Sequence, residues 1–112
     1  MNEMTYKEIQ KGTKKYTVYV NDGIDAGFVR KSTEFSDYLK LNSIIQTDND
    51  ESLPEYRIAS GLKVVEALKK ISSVAFNMAG LFGMEARVVQ TNESRIELVN
   101  QLGIFYIDGI EK

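Results

Sequence analysis

GLKVVEALKKISSVAFNMAGLFG, residues 61–83, is the stretch whose reading decides the fold. A helix is expected from Pro54, or more conservatively Ser60, to about Phe82, ended by Gly80 and Gly83, the residue type that accepts the left-handed conformation of a helix terminus. On a wheel at about 100° per residue, Val64, Val65, Ala67, Leu68, Ile71, Val74, Ala75, Phe76, Met78, Ala79 and Phe82 fill an arc of roughly 200°. Ser72 is the polar residue inside that arc, while Lys63, Glu66, Lys69, Lys70, Ser73 and Asn77 share the opposite sector. One packed sheet face needs roughly half such an arc, so a second surface has to cover the rest. Within the surplus, Val64, Ala67, Ile71, Val74, Met78 and Leu81 recur at steps of three and four, a seam by which one helix lies along another. The covering surface is either a short helix around Phe35 to Leu39 or the same helix of a second subunit. The second is preferred, because the short helix is wanted on the far side of the sheet.

Beyond the helix the pattern changes to that of a meander. Met84 to Thr91, Arg95 to Asn100 and Ile104 to Asp108 read as strands, separated by a TNES turn and a break at Gly103. Ile96 and Leu98 alternate with Arg95 and Glu97, which predicts one wet sheet face. IFYID is apolar on both sides and predicts a central strand. Before the long helix, Thr5 to Lys11 reads as a two-turn helix stopped by Gly12. Lys14 to Asn21 reads as a strand, with Asp22-Gly23 turning it into a second strand over Gly27 to Lys31. Thr33 or Ser36 caps a short helix carrying Phe35 and Leu39, and QTDNDESLP then reads as a solvated loop.

The 112 residues make one expected domain, 1–112, with 43% apolar and 27% charged residues and a single proline. No cysteine and no histidine occur, which removes disulfides, thiol nucleophiles, the usual general base and the commonest metal ligand. No run is apolar and long enough to cross a bilayer, and no secretory core opens the chain, so a cytoplasmic location is expected. The net charge of −2 is unevenly spread, with six basic and four acidic residues in 1–31, one and six in 32–56, seven and six in 57–112. Nucleic acid is therefore not the default partner.

Several short motifs invite sharper readings. DGIDAG holds Asp22 and Asp25, but a calcium cage needs six to eight oxygen ligands, so a turn with Gly23 and Gly27 at positive φ is preferred. DNDE at 48–51 reads as solvated loop, and GLFG at 80–83 as a helix end rather than a phosphate-clamping loop. KGTKKY, with Tyr16, Tyr19 and Phe28 nearby, offers basic and aromatic groups for stacking bases, although core aromatics beside a solvated charge cluster are the simpler account. A Glu85 and Glu97 pair across the meander is expected to lie on a wet face. No nucleophile elbow or phosphate-cradling GxxxxGK occurs, so no enzyme, metal or cofactor is expected.

YTVYVNDG followed by FVRKST, the long helix, and VVQTNESRIELVNQLGIFYI together resemble the roadblock family of dynein light chains and GTPase-regulating scaffolds. The resemblance implies an α+β fold, roadblock/longin-like, with an antiparallel five-stranded sheet packed on one long helix. The implied order is helix, strand, strand, an inserted short helix, long helix and three strands. It also implies a dimer, in which the strand after the long helix pairs with its twin while the long helices lie side by side. Transferred here, the interface comprises Val64, Ala67, Ile71, Val74, Met78, Leu81, Glu85, Arg87 and Val89. The expected function is a non-catalytic dimerising scaffold, its partners a second copy or related subunit and a small GTPase. The alternative is a monomeric inhibitor or immunity-type protein that offers the acidic 48–55 segment to a basic site on one enzyme.

Overall fold

The computed structural model describes residues 4–21 and 24–111. The chain opens with strands β1 (Met4–Lys11) and β2 (Lys14–Asn21), paired antiparallel from Met4 opposite Asn21 to Lys11 opposite Lys14. Thr5 to Lys11 is thus a strand rather than a short helix. Seven residues cannot hold an isolated helix, whereas a tight turn at Gly12, at φ +62°, lets them pair along their whole length with a strongly β-branched neighbour.

The return from β2 is not a strand either. Residues 26–31 form helix α1 (Ala26–Lys31), whose N-cap Asp25 accepts from the amides of Gly27 and Phe28. Gly27 is therefore helical, and the Asp22-Gly23 part of the expected turn lies outside the described residues. Ser32 ends this helix and caps the next, α2 (Thr33–Leu41), by accepting from the Phe35 amide.

Where a solvated loop and the start of the long helix were expected, the chain makes β3 (Ile45–Asp48) and β4 (Glu55–Ser60). The long helix follows as α3 (Val64–Phe82), ending as expected at Gly83, whose φ of +64° is left-handed. The meander closes the chain as β5 (Arg87–Asn92), β6 (Arg95–Asn100) and β7 (Gly103–Asp108).

Two sheets result, the β1-β2 hairpin and a five-stranded sheet in the order β3-β4-β7-β6-β5. β7 holds the centre, as its two-sided apolarity predicts. The sheet is mixed rather than antiparallel, because β4 runs parallel to β7, from Glu55 opposite Ile104 to Ser60 opposite Asp108. Parallel neighbours need a crossover, and the passage from β4 through α3, β5 and β6 supplies it. The observed order, two strands, two helices, two strands, the long helix and three strands, also replaces the order expected from the resemblance.

One sheet face carries the main core. Ile96, Leu98, Phe105, Ile107, Tyr56 and Ile58 meet Ala67, Ile71, Val74, Met78 and Phe82 of α3, with Phe35 and Tyr38 of α2 filling the end. Phe35 stands edge-on to Tyr56 and Phe82 at 5.7 and 5.8 Å, and Tyr56 stacks on Phe105 at 4.5 Å. The short helix thus lies on the same side as the long one rather than beyond the sheet. The far side is covered by the hairpin, where Val18, Leu53, Val99 and Ile104 form a smaller cluster flanked by Ile9 and Tyr16.

Candidate functional site

The outer face of α3 carries several large apolar side chains that nothing among the described residues covers. Val65, Phe76 and Leu81 are 63%, 79% and 65% exposed, and Leu68 is 45% exposed, in a helix whose inward residues are sealed. Val65, Leu68, Ser72, Phe76 and Ala79 fall within about 80° on the wheel, beside the core-facing stripe rather than on it. The surplus arc is therefore real, and nothing among the described residues covers it.

The nine residues expected at an interface separate into groups. Ala67, Ile71, Val74 and Met78 are buried at 0–1% exposure against the chain's own sheet, so that face is already occupied. A helix seated on a sheet chooses one apolar stripe, and the steps of three and four from Val64 trace the stripe that β6 and β7 take. Val64, at the rim, and Leu81, on the far flank, stay exposed. Glu85, ahead of β5, and Arg87, at its start, are exposed and Val89 is half-buried, and β5 is the outermost strand of its sheet. The available seam is the neighbouring one, from Val65 to Ala79.

A second feature lies on the hairpin side. Glu97 was expected on a wet face, yet its side chain is only 3% exposed, because the hairpin covers β6. Its Oε1 lies 3.4 Å from Lys14 Nζ and 3.9 Å from Arg95 Nη1. Arg95 also reaches Asp108 at 3.6 Å and stacks over the Tyr106 ring at 4.4 Å. The Tyr16 hydroxyl is pushed up to about 12, first by burial and then by the charge and hydrogen bond of Glu97. Sequence reasoning missed Glu97 because alternation along one strand says which face a residue points to, and not whether another layer closes that face.

The basic and acidic runs take structural roles. Lys11 Nζ pairs with Asp48 at 3.0 Å and Glu55 at 3.7 Å and donates to the Leu53 carbonyl at 2.9 Å, so the acidic segment clasps the hairpin to the sheet. Asp50 is held below the usual carboxylate range chiefly by the Ser52 hydroxyl, then by backbone amides. Phe28 sits on α1 rather than on a strand beside Tyr16 and Tyr19, so the three do not form one stacking platform. GLFG ends α3, with the Gly83 carbonyl accepting from Asn21.

Among the described residues no group of acids could hold a metal ion, and no helix is long and apolar enough to cross a membrane. Comparison with protein-family models, with curated proteins and with solved structures finds no match. The class that the coordinates define is an α+β protein, with a mixed five-stranded sheet between a helical layer and a two-stranded hairpin.

Proposed function

We propose that this chain is a non-catalytic, cytoplasmic interaction module that pairs with a second copy of itself, or a related subunit, through the outer face of α3. One observation carries the reading: a contiguous apolar stripe stays in water although the core beneath it is complete. The stripe is also self-complementary in position. Leu68 and Phe76 lie four residues either side of Ser72, and Val65 and Ala79 seven either side. Two antiparallel copies of α3 related by a two-fold axis at Ser72 would set Leu68 of one against Phe76 of the other, and Val65 against Ala79. The small Ser72 lets the helices approach at the axis.

The size of this surface sets the strength. Nineteen helical residues span roughly 28 Å, and a strip about 10 Å wide falls short of the ~800 Å² that each partner gives to a standard interface. Association is therefore expected to depend on concentration, unless β5 adds pairing through its free edge. Light scattering across the micromolar range should show a mass rising toward twice 12.7 kDa, and Phe76→Glu should hold it at one chain. A monomer at every concentration up to high micromolar defeats the reading. A small GTPase is the further partner that the roadblock resemblance implies, and co-elution of a purified GTPase with the dimer tests it.

The inhibitor reading draws less support. Its acidic bait is partly neutralised by Lys11 within the same chain.

A further inference from the structure

The buried polar groups on the two sides of the sheet are not equally well satisfied. On the helix side, the Tyr38 hydroxyl donates to the Val74 carbonyl at 3.3 Å, and Asn100 donates to the Met78 sulfur while accepting from the Leu102 amide. On the hairpin side, Asn21 Oδ1, Thr91 Oγ1, Arg95 Nε, Glu97 Oε2 and Gln101 Nε2 are buried and meet no hydrogen-bond partner among the described residues. Asn21 ends β2, Arg95 and Glu97 share the sheet face beneath the hairpin, Thr91 lines a cleft with Glu97 and Tyr16, and Gln101 lines another with Ile9 and Val18. A group buried in this way has given up water without gaining a partner, and moving the hairpin aside returns the water.

The attachment of the hairpin is also slight. Its apolar contact rests on one buried side chain, Val18, with Ile9 and Tyr16 at the flanks. Lys11 latches the turn end of β1 to Asp48, Glu55 and the Leu53 carbonyl, and Lys14 reaches Glu97. Asp48 and Lys14 are about half exposed, so water weakens both pairs. β1 and β2 pair with each other in a sheet of their own, so none of the pairing in the five-stranded sheet depends on them.

We infer that the β1-β2 hairpin is a releasable cover, latched by Lys11, which comes off the five-stranded sheet as one unit while that sheet and α3 stay folded. An isolated two-stranded hairpin is marginal in water, so a released one melts, and its cross-strand amides exchange through that single opening. Opening hydrates the Glu97 carboxylate and bares Leu53, Val99 and Ile104.

Amide hydrogen exchange followed by NMR on the full chain tests this. Amides bonded between β1 and β2 should share one protection level and exchange at least about 100-fold faster than those of β7. Val74→Ala, in the helix-side core, should lower the protection of β7 by at least about ten-fold and leave that of the hairpin unchanged, because the opened state keeps the contacts of Val74. Lys11→Ala should lower hairpin and β7 protection together by about ten-fold, since both openings break the latch. Should Val74→Ala fail to fold, Ile71→Val reads the same contrast with a smaller change. Hairpin amides protected as well as those of β7, hairpin protection that falls with that of β7 in Val74→Ala, or no change in Lys11→Ala overturns the inference. The outcome is independent of dimer formation, since α3 lies on the other face of the sheet.

Discussion

The two faces of the five-stranded sheet differ in what covers them and in how well. On the helix side, large rings and branched chains interlock, with Phe82, Phe35, Tyr56 and Phe105 linked in a chain of ring contacts. On the hairpin side, the apolar cluster is four buried residues wide and gives way to a buried carboxylate among cations. A single antiparallel hairpin offers one row of inward side chains per strand, too few to seal five strands. The first face supplies stability, and the second leaves polar chemistry inside the fold.

The largest effect should separate these faces most clearly. Phe105→Ala removes a fully buried ring stacked on Tyr56 and is expected to cost about 4 kcal/mol in urea denaturation, whereas Val18→Ala beneath the hairpin should cost about 2 kcal/mol. Equal losses would show that the hairpin packs as firmly as the helices.

Alkaline pH should sharpen the same contrast. Tyr38, on α2 and buried against α3, and Tyr16, beside Glu97, both hold their protons up to about 12 against an ordinary value of 10.0. The folded state keeps the proton where the unfolded chain has released it. Stability is therefore unaffected by these groups below pH 10, falls between 10 and about 12, and levels above that. Tyr38→Phe and Tyr16→Phe should each flatten part of that slope in denaturation midpoints. Glu97→Gln should reduce the Tyr16 share and leave the Tyr38 share intact.

The smallest effect belongs to the loop that ties the two layers together. Ser52→Ala removes the hydroxyl that does most to hold the exposed Asp50 below its usual range. The Asp50 carboxyl should then titrate higher by NMR, with little change in the denaturation midpoint, since the group is fully exposed.

The more local an element's determinants, the better the sequence predicted it. The helix over 64–82 announces itself by a sustained period and a glycine stop, and the final three strands by alternation and short turns. β4 was hidden because its six residues follow a proline that reads as a helix start, and because its partner β7 lies more than forty residues away. The β1 strand was hidden by a polar sequence that favours no element strongly, its state decided by β2. Asp22-Gly23 drew the hairpin to the wrong place, because Asp25 serves the chain better as a helix cap than as a turn residue. At the interface, periodicity revealed an oversized apolar arc but could not say which part of it the sheet would take.

The placement of β7 has a consequence for how the molecule is made. Gly103 enters this strand at φ +145°, where any added Cβ would collide with the Pro54 carbonyl, and the Ile104 amide donates to that same oxygen at 2.8 Å. Among the described residues, β7 is the only strand that joins the β3-β4 and β5-β6 halves of the sheet. As the chain leaves the ribosome, β3 and β4 must wait, edge exposed, until β7 emerges to join them. A nascent chain stalled before Gly103 would present two unfinished pairs of strands to the cell's chaperones.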